Sequence, residues 1–186
     1  MPMKTWLKMA VAAGILLSGT AVAEECQITV SQNEVNYNQI RRDDIVTSQQ
    51  GWNKLAEREV TVNVSCPQTQ QMAVLAQGAA GEKGRFLFGS RGGVGLKIDN
   101  VTVDGKSYKI GKTVDQVNFT PKSETASSIY LRNNEAVIAI ENNVVPEGKQ
   151  MSFTATLFPV LNDSMFRRNT DIMDIEADIV WQLLTK

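Results

Sequence analysis

The apolar residues of this chain recur at every second position, and no long segment carries the 3.6-residue period of a helix. In Glu59-Val-Thr-Val-Asn-Val-Ser-Cys66, the side chains of Val60, Val62, Val64 and Cys66 fall on one face; in Cys26-Gln-Ile-Thr-Val30, those of Cys26, Ile28 and Val30 do. Further β-type segments follow at 72–77, 94–98, 100–103, 107–110, 136–140 and 152–158, and the last runs from Asp174 to Leu184. Turn signals separate them: the Ser65-Cys-Pro67 break, the hairpin dipeptide Asp104-Gly105, and Pro146-Glu-Gly-Lys149. Residues 52–58 are the one candidate for a helical turn, and a short one. Half-buried strands of this kind need a second layer to cover their apolar faces. The pattern predicts an all-β sandwich with Greek-key connections.

The first 23 residues read as a targeting segment. Lys4 and Lys8 form a positive start, an apolar run follows, and Ala21-Val22-Ala23 gives the small-residue cleavage pattern. The uncharged run from 9 to 23 is 15 residues, short of the ~20 that span a bilayer; a membrane anchor is the alternative. Residues 1–23 are therefore expected to be a signal peptide and 24–186 a single exported domain. Export makes Cys26 and Cys66 a disulfide candidate, with two buried thiols as the alternative. Strand parity turns both sulfurs toward the core, and closing a loop of this length is worth roughly 4 kcal/mol in the chain-entropy model.

Composition removes most catalytic chemistry. The chain has no histidine, which excludes imidazole bases, His-activated nucleophiles and His-ligated zinc. A net charge of −1 argues against nucleic acid as a partner. Gly89-Ser-Arg-Gly-Gly-Val-Gly95 lacks the order of a phosphate loop and reads as a bulged strand or loop. Asp171, Asp174, Glu176 and Asp178 read as a solvated edge in preference to a calcium site. The Arg41-Arg42 charges are cancelled by Asp43-Asp44, and the N-x-[ST] triplets at Asn63, Asn100, Asn118 and Asn162 read as chance. No catalytic residue, metal or cofactor is expected.

An immunoglobulin domain fits poorly, because both cysteines lie early and no tyrosine sits two residues before Cys66. A leader, a Cys opening the first strand and a second Cys ending the next resemble a different family, the pilins of chaperone–usher fimbriae. Gly93-Val-Gly-Leu-Lys-Ile-Asp-Asn100 with Asp104-Gly105 is similar to the pilins' mid-chain strand, and Gly148-Lys-Gln-Met-Ser-Phe-Thr-Ala155 to their strand before last. The resemblance covers nearly all of the chain after the leader. Trp181 stands where the family usually has a near-terminal tyrosine.

That resemblance implies a structural or adhesive fimbrial subunit rather than an enzyme. Its sandwich would lack one strand, which a partner supplies: first a periplasmic chaperone, then another fimbrial subunit delivered at the outer-membrane usher. Where the fimbria is adhesive, a host receptor would join these partners. The protein would pass through the periplasm to the cell surface. Ile175, Ala177, Ile179, Trp181 and Leu183, alternating along the last strand, are the expected floor of the chaperone and donor-strand groove. Cleavage after Ala23 would leave only Glu24 and Glu25 before Cys26, too few to form a donor strand, so a tip position is expected. The alternative is a free-standing periplasmic or secreted binding module whose sandwich is complete.

Overall fold

A computed structural model describes residues 25–31, 37, 39–122, 125–167, 173–174 and 177–186. The expected leader, residues 1–23, lies outside these. The strands are β1 (Gln27–Val30), β2 (Gln39–Ile40), β3 (Thr47–Gln49), β4 (Trp52–Lys54), β5 (Arg58–Gly78), β6 (Phe86–Phe88) and β7 (Gly92–Val103). They continue with β8 (Lys106–Ser107), β9 (Lys109–Thr113), β10 (Ser128–Leu131), β11 (Glu135–Ile140), β12 (Glu147–Asn162), β13 (Met173–Asp174) and β14 (Ile179–Thr185). One short helix, α1 (Ser164–Arg167), follows β12. The chain is an all-β antiparallel sandwich.

β5 belongs to both layers. Its first half lies between β1 and β12, with β7 beyond β12 and β6, β10 and β8 along the far edge of β7. Its second half lies between β14 and β11, with β9 outermost. The break expected at Ser65-Cys-Pro67 is therefore not a strand end. Pro67, which has no N–H to donate, sits in the stretch where β5 leaves one sheet for the other, and the strand continues to Gly78. From β8 to β12 the chain alternates between the layers. Inward side chains of both sheets, among them Val62, Val74, Leu96, Val137 and Phe153, interdigitate in one core.

Three other expectations change. Residues 52–54 are extended, because β4 pairs with the end of β12 and with β3. Residues 94–98 and 100–103 are one strand carrying a bulge: Asn100 at φ 56° lies where the register against β12 shifts. β12 starts at Glu147, inside the expected turn. The Asp104-Gly105 hairpin is present, with φ of 48° and 78° as a two-residue primed turn requires. The Asp104 carboxylate accepts the N–H groups of Lys149 (3.0 Å) and Gln150 (2.8 Å), tying the turn to β12. Part of the glycine-dense run forms the start of β7, and the Phe158 ring lies where a Gly95 side chain would be.

Candidate functional site

β14 pairs with β5 from Ile179↔Gly78 to Thr185↔Met72. Two further bonds close the ladder: the Gln71 N–H donates to the Lys186 carbonyl (2.9 Å) and the Lys186 N–H to the Gln71 carbonyl (3.1 Å). Among the described residues no strand pairs with its other edge. β1 is in the same position beside the first half of β5. Each therefore presents a row of backbone donors and acceptors with no strand partner.

The side chains repeat this incompleteness. Ile179, Trp181 and Leu183 point inward, as their parity predicts, yet all three remain half-buried. Ile28 and Val30 of β1 are likewise half-buried. Neighbouring inward residues with strands on both sides, such as Val62, Val74 and Val137, are fully buried. Trp181 reaches across the sandwich to Phe153 of β12, their rings meeting edge-on at 5.7 Å. On the outer face Val180 is 60% exposed and Gln182 is exposed. An apolar strip thus runs along two unpaired strand edges at one seam of the sandwich. The Cys26–Cys66 disulfide, with Cα atoms 4.1 Å apart, fixes the start of β1 to β5 there.

The expected groove floor is brought together in part. Ile179, Trp181 and Leu183 line the strip; Ala177 lies just before β14, half-buried against the same core. Ile175 lies outside the described residues. Asp174 does not extend β14, because β13 pairs with β2 in a separate two-stranded ladder. The expected continuous last strand is thus shorter, beginning at Ile179. Asp171 and Glu176 of the acidic cluster also lie outside the described residues. Among the described residues no group of three His, Cys, Asp or Glu side chains could hold a metal.

The sequence reading missed what lies behind β14. Residues 114–122, which follow β9, cross the outer face of the second sheet. Phe119, 1% exposed, packs there with Ala73, Leu75, Ala136, Ile138, Ile140 and Val145 in a second core, and Leu184 of β14 packs against it. The Asp115 carboxylate shapes this strap, accepting the Asn118 N–H (2.9 Å), the Thr120 hydroxyl (2.8 Å) and the Val117 N–H (3.0 Å). Those donors, Asn118 first, hold its pKa down at about 2. Glu135, buried at the start of β11, accepts from Lys122 of the strap (2.9 Å), Lys112 of β9 (3.0 Å) and the Arg132 N–H (2.9 Å). Burial pushes the Glu135 carboxyl up; the Lys122, Arg132 and Lys112 contacts outweigh it and hold the group below the ordinary range. Asp115 set before Asn118, Phe119 and Thr120 was the available signal, a side-chain-capped turn carrying an aromatic.

No protein-family model matches the chain. Over 171 residues, 89% of this chain and 93% of the relative, it is 25% identical to the uncharacterized protein YhcE of Escherichia coli (strain K12). That name carries no activity.

Proposed function

We propose that this protein is a subunit of a chaperone–usher fimbria whose function is to accept an extended strand from a partner. The observation that carries this reading is the half-buried apolar row Ile179, Trp181 and Leu183 on a strand whose outer edge pairs with no described strand. An added strand would hydrogen-bond to that edge and bury its alternate side chains against the row, the mode known as β-strand addition. The partners would be a periplasmic chaperone during export and another subunit in the fibre. Catalysis plays no part.

The same reading gives the subunit the fibre tip. Leader removal after Ala23 would leave Glu24 and Glu25 ahead of Cys26, spanning at most about 7 Å, so it would receive a strand and donate none. Sequencing the mature N-terminus tests this, and a start well upstream of Glu24 would overturn the tip position.

The test of function is capture. Co-expressed in a periplasm with a fimbrial chaperone, the chain should be recovered as a one-to-one complex. Titrated alone with a soluble peptide of about ten residues alternating valine with threonine and lysine, it should bind and gain thermal stability, as native-state ligands confer. A stable monomer indifferent to both would favour the free-standing binding module.

A further inference from the structure

Resting on that reading, we infer that the strap 114–122 is a positioning element for the acceptor strand: Phe119, through the second core that Leu184 joins, holds the end of β14 from behind so that its inward row faces the seam.

The acceptor strand is supported asymmetrically. Its inward face is half-covered, and on its outward face Val180 and Gln182 meet solvent. At the end of the strand that changes. Leu184 packs against the second core, to which Phe119 belongs, and Ala73, its register partner on β5, belongs to that core too. Beyond it, the Lys186 ammonium approaches the Asn118 Oδ1 of the strap at 3.4 Å. The Gln71 side chain, from the residue whose backbone closes the β14 ladder, donates to the Val145 carbonyl (3.1 Å) at the margin of the same core. The strap leaves β9 after Thr113 and is then tied back to it. The N–H of Lys122 donates to the Lys112 carbonyl (2.8 Å), and Ala126 bridges to Ile110 of β9. Ahead of these ties Asp115 folds the chain so that Phe119, at φ 55°, turns down onto the sheet.

An edge strand with one ladder and a half-covered face is the element most prone to local opening. Support from behind lowers the cost of ordering β14 when a strand is added, and by linkage a strand in the seam must in turn stabilise the strap. Phe119 belongs to the second core, whereas the inward row of β14 packs on the main one. Its effect on binding must pass through β14.

Hydrogen exchange on the oxidised chain tests this without any partner. In Phe119→Ala, exchange at 182–185 should quicken about tenfold, while 27–30 of β1, tied by the disulfide, keeps its wild-type rate. Phe119→Leu should restore protection. With the valine–threonine–lysine peptide as probe, Phe119→Ala and Leu184→Ala should each weaken binding about tenfold, and the double variant no further, because one contact carries both effects. Peptide binding should also slow exchange at 117–120. Equal quickening at β1 and β14, or additive losses in the double variant, would overturn the assignment. Should Phe119→Ala fail to fold, Leu184→Ala alone decides: quickened exchange at 182–185 with β1 unchanged supports the assignment, and equal quickening at both strands overturns it. Failure of the wild-type chain to bind the peptide would count against the strand-acceptor reading, while the exchange result would still decide the role of the strap.

Discussion

β11 and β14 are short, mostly apolar strands flanking the same half of β5. Every residue of β11 is buried, whereas none of β14 is. Composition does not separate Glu-Ala-Val-Ile-Ala-Ile from Ile-Val-Trp-Gln-Leu-Leu-Thr by that much. Neighbours do. β11 has β9 on one edge, β5 on the other, the main core beneath and the strap above. Among the described residues β14 has one ladder, half a core beneath, and the second core only at Leu184. The lesson is that the same kind of apolar strand is buried where all four sides are filled and stays half-buried where one edge has no described neighbour.

The comparison can be broken most severely at Ile138, fully buried on the strap side of β11. Ile138→Asp would leave an unpaired charge in an apolar pocket and should cost more than about 4 kcal/mol, seen as loss of the cooperative thermal transition. Trp181→Ala is the matching cut in β14. It should cost about 1–3 kcal/mol, below the range for a fully enclosed aromatic, yet abolish chaperone recovery. A Trp181→Ala chain captured as well as wild type would sink the assignment of β14 as acceptor.

Glu135→Gln sharpens the contrast through pH. A carboxyl held below its unfolded value stabilises the fold above that value, and the contribution fades as pH falls through the folded one. The variant should therefore melt below wild type at neutral pH, and the two curves should converge on the acid side of the ordinary carboxylate range. A constant gap down to strongly acid pH would show that the loss is one of packing. The smallest effect is expected at Val180, exposed on the outer face of β14: Val180→Thr should shift stability by under about 0.5 kcal/mol and leave strand capture intact.

Much of this was legible in advance because strand parity is a local property. The inward set Ile179, Trp181 and Leu183, the inward cysteines and the Asp104-Gly105 hairpin each follow from two to eight neighbouring residues. The errors fall where a neighbour distant in sequence decides. Pro67 reads as a breaker, but the layers need one strand to pass between them at that point. Residues 52–54 carry no strong pattern and become a strand because the end of β12 offers them an edge. Asp174 has the parity of the last strand and pairs instead with β2.

The sequence alone determined the period, the two faces of each strand and the chemistry that a chain without histidine lacks, because these depend on residue type and spacing. Tertiary structure alone decided which apolar faces would be covered. Phe119 is one aromatic in a polar loop until Asp115 turns it onto the second sheet, and Leu184 is one more strand residue until it meets the core that ring helps to form. That β14 pairs on one edge only among the described strands is also invisible in its own residues, because pairing is settled by segments far away in the chain.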